Sequence, residues 1–495
     1  MVSQEPETSA AESSAQNPTE APAERPRAVR PEPASFRDPA STVLHLGDQV
    51  LRGLRAEAVD DWSALASSQC FPRLVSEGKI CATEQADPAE LGADRLGADW
   101  AMVLRHERIP FVSYPYEWTF SMLRDAALLH LEILQRSLPE GLTTKDGTSY
   151  NVQWRGAKPV YIDVGSFERA RDGEPWAGYR QFCQTFLYPL MLQAHLGVSF
   201  EPWLRAQVDG IESKQMRALL GGRHRAKAGV LKHVHLHSAM EQRYSASTTQ
   251  RTRGELKAAG FSRELVMATI RALDKLVRRL EWRPEDSHWV SYQGTCTYSD
   301  VDRTRKDAFV REVLGAAGKL DLVMDLGAND GTYSRVAAEY AAYVLAVEAD
   351  EATTDRLYRA LRDEGQDRIL PLVTDLANPS PGIGWRNRER APFFGRSRPD
   401  AVLCLALLHH LAIGRNVPLG ELTDWLAGLG RRVIVEFVDP EDPMATQLLG
   451  NKPEGLFPDY RREVFEKLLA ERFTIERREE LPSGTRVLYA GTPHD

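Results

Sequence analysis

Asp325-Leu326-Gly327-Ala328-Asn329-Asp330-Gly331 follows the apolar run Leu322-Val323-Met324 and precedes a helix-like stretch from Tyr333 to Tyr340. The run predicts a short buried strand. The G-x-x-x-G spacing predicts a sharp turn into the helix, with no Cβ to hold a ligand away from the helix N-terminus. A second apolar strand, Tyr343 to Val347, ends in Glu348, 17 positions after the last glycine. An acid at that distance is where an acceptor for ribose hydroxyls belongs in a nucleotide-binding βαβ unit.

From about residue 311 onward the chain alternates strand and helix, with strands expected at 321–326, 343–348, 369–373, 400–405, 432–438, 472–478 and 485–490. Such alternation predicts an α/β domain over 311–495, built on an open, mostly parallel sheet covered by helices on both faces. Upstream, 246–310 reads as a helical connector. Val266, Ile270, Leu273, Val277 and Leu280 recur at helical spacing there, and the intervening arginines read as a solvated face. Residues 41–245 mix short strands (100–104, 160–162) with helical stretches (120–138, 179–195) and read as an α+β domain. Residues 1–40 are rich in Pro, Ala, Glu and Ser, cannot bury enough surface to offset ordering, and read as a disordered tail.

At 495 residues, two or three domains are expected. The net charge of −8 lacks the basic footprint of a general nucleic-acid binder, and no apolar run is long enough to span a membrane. The five scattered cysteines form neither a disulfide framework nor a metal knuckle, which suits a reducing cytoplasm. Nothing in the sequence indicates an oligomeric state.

The strand order and glycine loop resemble the Rossmann-like S-adenosylmethionine-dependent methyltransferases. In that family Asp325, Gly327, Asn329 and Gly331 form the first motif, at the amino-acid end of the cofactor. The resemblance further implies that Glu348 takes the ribose hydroxyls, that Asp375 bonds the adenine amino group, and that the last two of seven strands form an antiparallel pair. A dinucleotide-binding dehydrogenase would need G-x-G-x-x-G, which is absent. The fourth strand runs into Leu407-Leu408-His409-His410-Leu411, where the family lines its methyl-transfer site. His409 or His410 is therefore a candidate general base, with pocket wall or helix cap as the alternative. Trp289 to Tyr292, Tyr298 and Lys306 precede the first motif, where a lid over the cofactor is expected, with ordinary helix packing as the alternative.

The upstream stretch holds Asp146, Asn151 five positions on, and Asp163 twelve further, after the strand Val160-Tyr161-Ile162. This resembles the catalytic loop and metal-binding Asp of kinase-like phosphotransferases, and implies a kinase-like fold with Mg-ATP as ligand. Thr144 stands where that pattern has His or Tyr, and neither a glycine-rich phosphate loop nor a strand lysine accompanies it. The aromatic cluster Tyr114 to Trp118 reads as core, with substrate stacking as the alternative. His233, His235 and His237 alternate as on a strand face and read as polar surface, with metal binding as the alternative. No metal site is expected.

Ser113 to Trp118, Lys145-Asp146, Tyr161 to Asp163, Tyr179 to Cys183 and Val435-Glu436-Phe437-Val438 together resemble a bacterial group of methyltransferases similar to nodulation host-specificity proteins. That resemblance implies a two-part protein with methyltransferase activity; the acceptor is expected to be a small molecule or glycan, with O, N or C left open as the methylated atom. Two other readings stand beside it. One is a bifunctional protein whose N-terminal domain transfers phosphate or binds nucleotide; the other is a non-catalytic acceptor-binding module fused to the methyltransferase.

Overall fold

Three antiparallel sheets precede a large, mostly parallel one. The computed structural model describes residues 29–87, 100–238, 262–284 and 299–494. Strands β1 (Arg30–Pro31), β2 (Ser41–Leu46), β3 (Gln49–Leu54), β4 (Thr83–Gln85) and β5 (Met102–His106) form one sheet in the order β1-β2-β3-β5-β4. Helices α1 (Ala56–Ala66) and α2 (Cys70–Ser76) are inserted between β3 and β4. Helix α3 (Phe120–Ser137) starts where the Thr119 hydroxyl accepts from Met122 N. It is apolar on nearly every side because packed elements surround it. Short strands follow: β6 (Leu142–Thr144), β7 (Val152–Arg155), β8 (Lys158–Tyr161) and β9 (Phe167–Arg169), with β6 paired to β9 and β7 to β8.

Helix α4 (Tyr188–Leu196) continues a helical run that begins at Tyr179, and α5 (Arg263–Arg279) buries the expected Val266, Ile270, Leu273 and Val277 against its neighbours. Helix α6 (Asp300–Ala316) leads into the large sheet. Its strands are β10 (Leu320–Leu326), β11 (Ala341–Glu348), β12 (Ile369–Val373), β13 (Ala401–Cys404), β14 (Val433–Val438), β15 (Phe473–Glu480) and β16 (Arg486–Pro493). Their order is β12-β11-β10-β13-β14-β16-β15, parallel from β12 to β14, with β16 antiparallel to both neighbours. Helices α7 (Thr332–Ala337), α8 (Glu351–Asp363), α9 (Leu419–Leu429) and α10 (Arg462–Arg472) provide the connections. The chain leaves β10 towards β11 and β12, then jumps back across it to β13. The order reverses between β10 and β13, and in open α/β sheets such a reversal at the carboxyl ends of the strands is where ligands bind.

Three expectations change. Residues 29–40, assigned to the tail, are ordered: Pro31 and Arg30 pair with β2, and Arg37 makes a forked bond to Glu389 at 2.7 and 2.9 Å. Composition cannot reveal that a partner strand and a distant carboxylate compensate for the missing apolar side chains. The boundary expected at 310 falls inside α6, which belongs to the large sheet through Phe309 and Lys306. The 233–237 histidines lie on a helical turn, Val230–Leu236, and not on a strand. His233 bonds the Tyr179 hydroxyl at 2.7 Å, and His237 bonds the Tyr188 hydroxyl at 3.1 Å.

The two halves share one apolar core. Trp118 packs edge-on against Trp154 of β7, and Trp154 against Tyr358 of α8, with ring centroids 5.5 and 5.6 Å apart. The Tyr114–Trp118 cluster is therefore core. Ser121 donates its N–H and hydroxyl to Asp355 across the same seam, at 2.9 and 3.1 Å. Arg396 forks onto Glu117 under the Tyr114 ring. At the tip of the β7–β8 hairpin Gly156 donates to the Tyr343 hydroxyl at 2.9 Å. A Cβ at Gly156 would collide with the backbone of Asp367, so the close approach of the hairpin to the large sheet requires glycine there.

Candidate active site

The glycine turn is wound tightly by residues that tolerate left-handed backbone: Gly327 at φ +73°, Asn329 at +48° and Gly331 at +78°. Gly327 and Ala328 both donate to Val347 O at the end of β11 (2.8 and 3.0 Å), so the turn is tied to the neighbouring strand. A Cβ on Gly327 would lie 3.2 Å from Leu407 Cδ1, so glycine lets this turn meet the loop after β13. Asp325 is buried and turned towards α7, accepting from the Ser334 hydroxyl at 2.6 Å. Burial raises its pKa to about 6 despite that bond. It fixes the turn to the helix.

Glu348 ends β11 with one oxygen accepting from Asn329 N (3.0 Å) and the other from Ala349 N and Asp350 N (2.7 and 3.0 Å). Burial raises its pKa, opposed by these N–H donors. A carboxylate has about four acceptor positions, so capacity remains for a hydroxyl. Asp375 follows β12, one oxygen accepting from Ala377 N and the other paired with Arg415 at 2.8 Å. Because β10, β11 and β12 lie side by side in register, the turn, Glu348 and Asp375 share one edge of the sheet. The candidate cofactor residues are thus gathered at one place.

Past β13, His409 and His410 stack with ring centroids 4.1 Å apart. His409 is 1% exposed, with neither ring nitrogen bonded among the described residues, and burial pushes its pKa well down. His410 is less enclosed, and burial lowers it to about 4. Both imidazoles are therefore neutral near pH 7, and His410 is the one open to solvent.

Beneath this loop lies a charge network that sequence reasoning missed. Glu436, in the middle of β14, accepts from Lys306 Nζ (2.7 Å), from Ala406 N (2.9 Å) and from Arg486 (3.2 Å), and Arg486 also forks onto Asp442. Ala406 has φ +50°, an uncommon backbone for a residue with a side chain, and the Glu436 bond holds it there. The available signal was an acid inside the apolar run Val433 to Val438. Lys306, expected in a lid, is buried against the Tyr333 ring at 4.9 Å. Trp289 to Tyr292 and Tyr298 lie outside the described residues.

In the N-terminal half, Asp146 follows β6, Asn151 precedes β7 and Asp163 follows β8. Burial raises the Asp146 pKa, and the Asp163 charge raises it further. Asn151 is nearly buried and its amide lies 3.4 Å from the Tyr161 hydroxyl. Arg52 of β3 pairs with Asp163 at 2.8 Å, so the strand supplies an arginine where a lysine was sought. Among the described residues no three or more His, Cys, Asp or Glu side chains are placed to hold a metal ion.

Seven strands in this order, with a glycine turn and two acids at the ends of adjacent parallel strands, define a Rossmann-like α/β protein. No family model matches the chain. Nodulation protein NoeA of Rhizobium meliloti (strain 1021) is 33% identical to it over 461 residues, 92% of this chain and 94% of that protein. The chain belongs to the NoeA family. Among solved structures, N-methyltransferase NodS from Bradyrhizobium japonicum WM9 with S-adenosyl-L-homocysteine matches at 11% identity, over 42% of this chain and 100% of that one, with a TM-score of 0.31. Magnesium protoporphyrin IX methyltransferase from Synechocystis PCC 6803 with the same ligand matches at 18% identity, over 42% and 94%, with a TM-score of 0.28. The strand order carries the fold assignment, and these similarities add no weight to it.

Proposed function

We propose that this protein is an S-adenosylmethionine-dependent methyltransferase acting on a small-molecule or glycan acceptor. The observation that carries the reading is the gathering of the glycine turn, Glu348 and Asp375 at the carboxyl ends of three adjacent parallel strands. Two acceptors on neighbouring strands suit a ligand with ribose hydroxyls at one end and an adenine amino group at the other. Bound there, S-adenosylmethionine supplies an electrophilic methyl group. The protein aligns the acceptor and excludes water. His410, neutral and partly open, receives the acceptor proton where a hydroxyl is methylated. Gly327, Asn329 and Gly331 shape the turn, Asp325 anchors it, and His409 backs the loop.

Calorimetry with S-adenosyl-L-homocysteine tests this. Glu348→Ala and Asp375→Ala should each weaken binding about ten- to a hundredfold, the value of one or two charge-assisted hydrogen bonds. Undiminished affinity in both variants overturns the assignment.

A second reading rests on Asp146, Asn151 and Asp163, which follow β6, precede β7 and follow β8, with Asp163 paired to Arg52 of β3. It makes the N-terminal half a kinase-like nucleotide site. Asn151 and Asp163 would hold Mg²⁺ on the phosphates and Asp146 would orient an acceptor hydroxyl. Since Arg52 occupies Asp163, Mg-ATP binding requires that ion pair to open. A rise in melting temperature with Mg-ATP, lost in Asp163→Ala, supports this reading; no rise in either protein removes it.

A further inference from the structure

A cavity of about 410 Å³ lies between the end of α4, the chain at 227–228 and the residues just past α5. It shares no lining residue with the carboxyl edge of the large sheet or with the Asp146–Asp163 cluster. Three kinds of group converge on it. Lys227, Arg279 and Arg283 bring positive charge. The carboxylate lining it, Glu281, lies 3.5 Å from Arg283 and offsets part of that charge. Trp282 brings an aromatic face, half-buried and steadied by Phe120 at a ring separation of 6.3 Å.

The third kind is unused polarity. Gln193 is 1% exposed, and its Nε2 donates to Glu351 at 2.6 Å. In this arrangement Gln193 Oε1 is buried without a donor among the described residues. His195 Nε2 is likewise buried and unbonded. Burial lowers the His195 pKa, opposed by a hydrogen bond to the Ala228 backbone, so the ring is neutral and its unbonded Nε2 is left as an acceptor. An amide oxygen buried without a donor is costly, and a ligand that supplies one removes the cost.

We propose that this cavity binds a hydroxylated, anionic ring compound with the chemistry of a sugar phosphate or a uronic acid. A ligand hydroxyl donates to Gln193 Oε1, a second donates to His195 Nε2, and the C–H face of the ring lies on Trp282. The phosphate or carboxylate pairs with Lys227 and Arg279, for which no salt-bridge partner is found among the described residues. The volume is within the range that encloses a small ligand. A neutral sugar would leave the cations unused, and a bare anion would leave Gln193 and Trp282 unused.

The test is calorimetry on the full chain with glucose 6-phosphate, glucuronate, glucose and inorganic phosphate, with no methyl donor present. Its failure is therefore separate from failure of the methyltransferase reading. Saturable binding of glucose 6-phosphate or glucuronate is expected, the stronger of the two identifying the anion, with glucose and inorganic phosphate at least about tenfold weaker. Lys227→Gln with Arg279→Gln, both exposed, should fold normally and weaken binding about tenfold or more; Gln193→Leu should do the same. The proposal is overturned if neither anionic sugar saturates. It also fails if inorganic phosphate or glucose binds as tightly, or if the exposed double variant binds like wild type.

Discussion

Glu436 is the side chain on which the loop after β13 depends. It sits in a fully buried strand, compensates Lys306, and holds Ala406 in its left-handed backbone. Burial lowers the Lys306 pKa, and the Glu436 carboxylate opposes that shift. Glu436→Gln should cost about 3–5 kcal/mol in urea unfolding, the usual consequence of breaking a buried pair. With the carboxylate gone, Lys306 is easier to bury neutral, so the deficit should shrink as pH rises. A deficit that is small at every pH would mean Arg486 and Asp442 suffice without it.

The turn between β10 and α7 illustrates how one element depends on backbone freedom. Gly331 has φ +78°, and an added Cβ would lie 2.6 Å from Leu357 Cδ1. Gly365 has φ +69° with nothing within 4 Å of an added Cβ. Both carry the conformational cost of alanine in a left-handed position, about 1–2 kcal/mol, and only Gly331 carries a collision as well. Gly331→Ala should therefore destabilise by about 1–3 kcal/mol more than Gly365→Ala in the same unfolding assay. It should also weaken S-adenosyl-L-homocysteine binding, which Gly365→Ala should leave alone. Equal losses in the two variants would show that the packing against Leu357 relaxes freely.

Across the molecule, three acids meet where the halves join: Glu201 from one, Glu351 and Asp355 from the other, with Gln193 bonded to Glu351. Burial raises the pKa of both Glu201 and Glu351, and for Glu351 the Glu201 charge adds to it. A carboxyl raised in the folded state contributes stability that is complete below its unfolded pKa and is lost as pH climbs through the folded one. The junction should therefore weaken from the usual carboxylate range towards neutrality. Glu201→Gln, which cannot ionise, should gain about 1–3 kcal/mol on wild type between about pH 5 and about pH 7 in paired urea titrations. A gap that stays constant with pH would exclude a raised Glu201 carboxyl at this junction.

The large sheet was legible because strands buried on both faces are written as continuous apolar runs. The runs at 321–326, 369–373 and 432–438 fall within a residue of β10, β12 and β14. The glycine turn and Glu348 were legible because backbone conformation and strand ends leave local marks. The pairings were not. Lys306 and Glu436 are 130 positions apart, and no local pattern announces that a lysine near the start of α6 will be buried. Arg52 likewise reads as a polar break in β3 until the fold sets it on Asp163. Periodicity and turn chemistry are properties of neighbouring residues, so the sequence alone determined the order of elements and the place of the β10 turn. Charge pairing, shared burial and the Gln193–Trp282 cavity depend on groups distant along the chain, and only the packed molecule decided them.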